Sequence, residues 1–177
     1  MQEVTIRLRF NRACLGYAIK PYGKRGQVIY TMPRDPRGRV MFLTSWWRGR
    51  FRYSSEVANR CRGLVDRIAW DPLVDGLLAQ HKRIVVPARD DRKKRARYAL
   101  HEAFLPGTTI AINAVLPGGM TIEDFSELLA LVGTYKGISP FQSEDESWGT
   151  FEIVSVTPVP RRSHEPPVNT QPVLVKE

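Results

Sequence analysis

Cysteine and histidine are scarce in this chain of 177 residues: two of the first and three of the second. Cys14 and Cys61 lack the paired spacing of a ligand set, and His81, His101 and His164 are scattered. The sequence therefore predicts no metal site and two reduced, structural cysteines. No apolar run approaches the ~20 residues that a membrane-spanning helix needs. No charged segment followed by an apolar one opens the chain, so the expectation is a cytoplasmic protein without a membrane partner. A Walker loop, a G-x-G-x-x-G turn, a G-x-S-x-G elbow and internal repeats are all missing, so neither a cofactor nor a catalytic residue is expected. Negative charge is in short supply as well. Eighteen Asp+Glu face 27 Lys+Arg, a formal net charge of +9, and such an excess favours nucleic acid as the partner.

The positive charge is not spread evenly. Residues 32–52 hold six arginines: Arg34, Arg37, Arg39, Arg48, Arg50 and Arg52. Pro33, Asp35, Pro36 and Gly38 are turn residues. Val40 to Leu43 reads as a short strand, and Thr44 or Ser45 can cap the helix that follows. Guanidinium groups stay charged and fork onto phosphate oxygens, so this cluster at a loop and a helix start suits a polyanion. A second concentration, from Arg89 to Arg97, includes Arg92, Lys93, Lys94 and Arg95. It lies between two strand-like segments, which predicts a basic hairpin loop.

Val4 to Phe10 alternates apolar and polar residues, the period of a strand with one face on a core. Gln27 to Met32, Leu64 to Trp70, Ile84 to Val86, Tyr98 to Phe104, Thr109 to Leu116 and Phe151 to Val156 also read as extended. Trp47, Phe51, Ser54, Ala58 and Cys61 recur at spacings of three and four, which predicts one helix from Ser45 to Arg62. Its opposite face would carry Arg48, Arg52 and Arg62. Trp46, Arg50, Tyr53 and Val57 form a flanking stripe. A second helix should start at Thr121, with Glu123 and Asp124 in its first turn and Ile122, Phe125, Leu128, Leu129 and Val132 on its apolar face.

Strand, helix, strands, helix, strand is the order of a ferredoxin-like (RRM-type) α+β domain. Such a domain is an antiparallel sheet with two helices on one face, here with extra decorating strands. One domain over residues 1–157 and a proline-rich tail over 158–177, disordered or partner-bound, is the expected organisation.

Residues 32–52 resemble the RAMP superfamily of CRISPR effector proteins. Members carry an Arg-Asp turn with glycine, an apolar strand, and a helix start reading Ser-x-Leu-Lys-Gly-x-Leu-Arg. Here Arg34-Asp35 and Gly38 precede Ser45-Trp46-Trp47-Arg48-Gly49-Arg50-Phe51-Arg52. A second signature, a glycine-bearing loop running into the closing strand, is similar in position to Gly133, Lys136-Gly137-Ile138-Ser139-Pro140 and Trp148-Gly149-Thr150-Phe151. The resemblance implies an RRM-like domain that grips a nucleic-acid backbone, with Arg48, Arg50 and Arg52 as contacts and Gly49 allowing close approach. Lys136 and Gly137 would form a second clamp. RNA-cleaving relatives carry an aspartate upstream of the Arg-Asp turn, where this chain has Lys24-Arg25-Gly26-Gln27. Repeat-processing relatives place a histidine in the N-terminal third, where this chain has none.

The function expected from these readings is non-catalytic binding of guide RNA or single-stranded DNA. The protein would be a backbone-type subunit beside other subunits or copies of itself. Trp46, Tyr53, Tyr22 and Tyr135 are the stacking candidates. One alternative is a protein-interaction module, such as a viral inhibitor or assembly protein. Another is a metal-independent endoribonuclease using His81 or His101 beside Lys82 or Glu102.

Overall fold

The computed structural model describes residues 1–20, 28–48, 50–51, 56–85, 97–140, 142–143 and 146–160. The alternation in β1 (Gln2–Phe10) sends Val4, Ile6, Leu8 and Phe10 into the core and leaves Arg7 and Arg9 exposed. β8 (Thr109–Leu116) does the same with Ile110, Ile112, Ala114 and Leu116. The two pair antiparallel, Ile6 opposite Ile112, so both apolar faces fall on one side. β11 (Phe151–Pro158) pairs antiparallel along the other edge of β1. A register shift between Arg7 and Leu8 skips Val154, which is left exposed as in a β-bulge. The two-residue strand β5 (Ala69–Trp70) completes a sheet of order β11-β1-β8-β5.

A second sheet departs from the single sheet expected. It gathers β2 (Cys14–Leu15), β3 (Ala18–Lys20), β4 (Val28–Thr31), β6 (Ala79–Val85) and β7 (Arg97–Phe104). β7 is its centre. β6 lies antiparallel on one edge, with His81 opposite His101. β2 pairs antiparallel with the C-terminal end of β7, and β4 runs parallel to it, Tyr30 opposite His101. Tyr98 to Phe104 is thus a strand, as expected, but of this sheet rather than the first. A short ladder joins β9 (Gln142–Ser143) to β10 (Glu146–Ser147).

The expected helix from Ser45 to Arg62 is broken into α1 (Thr44–Arg48) and α2 (Glu56–Arg60). Beyond α1 the chain closes a tighter turn, with the Arg50 amide donating to the Trp47 carbonyl at 2.9 Å. Residues 40–43 form isolated bridges, Arg34 with Val40 and Met41 with Leu73, rather than a strand. From Leu64 to Trp70 only Ala69–Trp70 is extended. Val65–Arg67 is a 3-10 turn reached through Gly63, whose φ is +81°.

α3 (Ile122–Tyr135) matches its expectation. Thr121 Oγ1 accepts from the Asp124 amide at 3.0 Å, a side-chain cap. Phe125, Leu128, Leu129 and Val132 are buried against the first sheet and the residues of α1 and α2. Trp47 stacks on Trp70 with centroids 4.2 Å apart and planes 5° off parallel, and Phe125 abuts Trp70 at 5.8 Å. Arg60 Nη2 donates to Asp124 Oδ1 at 2.7 Å, joining α2 to α3. The Val159 amide donates to the Glu3 carbonyl at 2.9 Å, so bonding to β1 continues just past the end of β11. Among the described residues no helix is long and apolar enough to cross a membrane.

Candidate nucleic-acid interface

Residues 33–41 form a turn that organises its own charges. Asp35 Oδ1 accepts from the amides of Arg37 (2.9 Å) and Arg39 (2.8 Å), and Asp35 Oδ2 accepts from Arg39 Nε at 2.8 Å. Desolvation pushes the Asp35 carboxyl upward, but the hydrogen bonds and charge of Arg39 and the Arg37 amide outweigh it and hold it below the usual range. Arg34 bonds the Gly38 carbonyl at 3.1 Å and Glu102 Oε1 at 3.0 Å. Glu102 Oε2 takes the Met32 amide at 2.9 Å. Arg34 and Arg39 therefore clip the turn onto itself and onto β7. Both stay exposed, so a phosphate would have to exchange with these carboxylates. Arg37 points outward and is the most available of the three.

Arg50 is the next of the expected contacts. It is half-buried, with Nη2 donating to the Ser139 carbonyl at 3.0 Å. A guanidinium committed to a backbone carbonyl positions the chain more than it reads a ligand. This bond joins the residues that follow α1 to the Lys136–Pro140 loop. The backbone of Arg48 ends α1 beside this junction; Gly49, Arg52, Arg92, Lys93, Lys94 and Arg95 lie outside the described residues.

In the glycine loop, Gly137 has φ +66° and is buried. A Cβ there would come within 2.5 Å of the Gly149 carbonyl carbon and 2.6 Å of the Thr150 nitrogen. Only glycine lets residues 137 and 149 pass this closely, so the residue type at 137 is fixed by packing. Its neighbours are tied in too. The Ile138 amide donates to the Gly149 carbonyl (3.1 Å), the Gly149 amide to the Ala13 carbonyl (2.8 Å), and the Leu15 amide to Ser139 Oγ (3.3 Å). Lys136, at the C-cap of α3, is exposed. The loop is thus a rigid knot between the two sheets, with cations at its margin: Arg12, Lys136 and, across the Arg50 bond, the end of α1.

Two of the residues named for acid–base chemistry, His101 and Glu102, are engaged in structure. His101 is 1% exposed, donates from Nδ1 to the Gly16 carbonyl at 2.8 Å and accepts from Arg83 Nε at 3.3 Å. Burial, more than the nearby charges, pushes its pKa below the ordinary histidine value. Glu102 is bound to Arg34 and Met32. Cys14 and Cys61 are free and buried, and burial pushes both thiols upward.

Of the stacking candidates, Trp46 is 6% exposed and packed on Phe42 and Tyr17, so it is core. Tyr135 is 64% exposed. Tyr22 and Tyr53 lie outside the described residues. The sequence reading missed Trp148, which is half-buried beside His81 with ring centroids 5.3 Å apart. Its only sequence signal is the glycine that follows it.

No family model matches the chain, and no curated protein matches it in sequence. Its fold is similar to that of a chain in the cryo-EM structure of the Type III-B Cmr-beta bound to cognate target RNA. The TM-score is 0.57 at 10% identity, covering 89% of this chain and 60% of the other. The likeness is one of fold, and this chain spans about three-fifths of that neighbour's length.

Proposed function

We propose that the protein binds a single-stranded nucleic-acid backbone without catalysis, as a subunit of a CRISPR-type ribonucleoprotein assembly beside other subunits or copies of itself. The observation that carries this reading is the Arg50–Ser139 bond, which docks the basic helix start on the glycine loop. Two segments 89 residues apart, each carrying cations and glycine, meet in one place. The net charge of +9 favours the same partner. The strand order β11-β1-β8-β5, with helices inserted after β1 and after β8, supports a ferredoxin-like, RRM-type arrangement for the first sheet. The second sheet would be the decoration. The fold similarity to a chain of an RNA-bound complex is compatible with this role.

In this reading Arg37, Arg48, Arg52 and Lys136 touch phosphate, while Arg50 and Gly137 hold the two segments together. The test is equilibrium binding of a single-stranded RNA oligomer between ~50 and 200 mM salt. Each phosphate contact should contribute about 0.7 to the log–log slope. Arg37→Ala combined with Lys136→Ala should make that slope shallower by roughly 1–1.5. A wild-type slope near zero would sink the proposal.

A further inference from the structure

Where β1 ends, Asn11, Arg12 and Ala13 turn away beneath Trp148. Together with His81 of β6 and Pro106 of the β7–β8 turn they line an open recess of about 310 Å³. The indole and imidazole stand at 68° to each other, so they make two walls of a corner. Trp148 packs against the small buried cluster of Ala13, Leu15 and Ala103. The Gly149 amide, bonded to the Ala13 carbonyl at 2.8 Å, fixes the backbone next to it. The ring is therefore anchored while part of it stays open to solvent. The amides of Asn11 and Arg12 both donate to the Thr150 carbonyl, at 2.8 and 3.3 Å. That pins the rim, and both side chains on it are exposed. Among the described residues that line the recess, none is acidic.

We infer that this recess takes one unstacked nucleobase of the bound strand, with Arg12 on an adjacent phosphate. The inference rests on the nucleic-acid reading above and names the part of the strand that the phosphate contacts leave unaccounted for. A rigid aromatic corner offers a stacking surface to any base, whatever its sequence. Asn11 supplies a donor and an acceptor for a base edge, and the Arg12 guanidinium matches phosphate oxygens. The volume lies at the bottom of the usual range for ligand sites, about 300–1,000 Å³, which suits a single nucleotide unit. The recess also adjoins the knot: Trp148 directly precedes Gly149, which packs on Gly137. A strand gripped at the Arg50–Ser139 junction would have a base within reach of it.

The wild-type chain is titrated with an eight-nucleotide oligouridylate and with an abasic ribose-phosphate strand of the same length. Wild type should prefer the base-bearing strand by roughly five- to a hundredfold. Trp148→Leu should remove most of that preference and keep the salt slope, and Trp148→Phe should retain it. In parallel, a 4-thiouridine oligomer is photocrosslinked to wild type, with the label expected on Trp148 or His81. Equal affinity of wild type for the two strands overturns this inference and leaves the phosphate reading standing. So does a preference that survives in Trp148→Leu. Should that variant not fold, the crosslink decides: label found only elsewhere overturns the inference. Failure of wild type to bind either strand ends the phosphate reading, and this one with it.

Discussion

His101 lies between β4 and β6, with its imidazole stacked on Tyr30 at 4.6 Å and both ring nitrogens engaged. One nitrogen donates and the other accepts, which is the pattern of a neutral ring. Charging it would put a cation beside Arg83 and opposite His81 in a site closed to water. Because burial lowers the folded-state pKa, the unfolded chain binds the extra proton first as pH falls. The stability that His101 contributes is complete above about 6.5 and is lost as pH falls from there through the folded value. Urea midpoints of wild type should decline as pH falls below ~6.5, and His101→Gln should flatten that decline. An identical pH profile in the variant would show that His101 takes up its proton equally in the folded and unfolded chains. The same burial explains why His101 is a poor general acid or base, although its residue type alone allowed the role.

At the scale of elements, the segment from Thr44 to Cys61 is the informative case. Spacings of three and four identified Trp47, Phe51 and Cys61 as inward-facing, and all three are buried. The same periodicity implied one continuous helix, and that was wrong. Trp46 and Val57, on the flanking stripe, are buried too. A segment need not stay helical to bury its apolar residues, so periodicity locates the residues better than it locates the element. Trp47→Ala removes the ring stacked on Trp70 at the centre of the core and should destabilise the protein by roughly 3–5 kcal/mol in chemical denaturation. A loss below about 1 kcal/mol would mean that Trp70, Phe51 and Phe42 collapse into the space.

For the whole molecule, the distribution of charge matters more than its sum. Arg34, Arg39 and Arg60 are held by Glu102, Asp35 and Asp124, and Arg9 is paired with Glu152 across the first sheet. A tally of arginines therefore overstates what a polyanion can reach. The densest basic run sits in the connection between β6 and β7, antiparallel neighbours that pair as far as Val85 opposite Arg97. Changing Arg92, Lys93, Lys94 and Arg95 to serine removes four of the nine net positive charges. Thermal stability should move by no more than about 0.5 kcal/mol equivalent. Affinity for single-stranded RNA should drop, and the salt slope should become shallower by up to ~3. Unchanged binding would confine the interface to the Arg50–Ser139 junction.

What the sequence determined by itself is local. The alternation of β1 and β8, the Thr121 cap and apolar face of α3, and the turn at Pro106-Gly107 follow from side-chain period and backbone preference within a few residues. The charge excess is likewise set by composition. What only the tertiary structure decided is partnership: β7 joining a second sheet in parallel with β4, Arg34 turned onto Glu102, Arg50 spent on the Ser139 carbonyl, and Trp148 set over Ala13 and His81. Each of these contacts joins residues far apart in the chain. No period or propensity records such a pairing, because it depends on which surfaces remain to be covered once the local elements have formed.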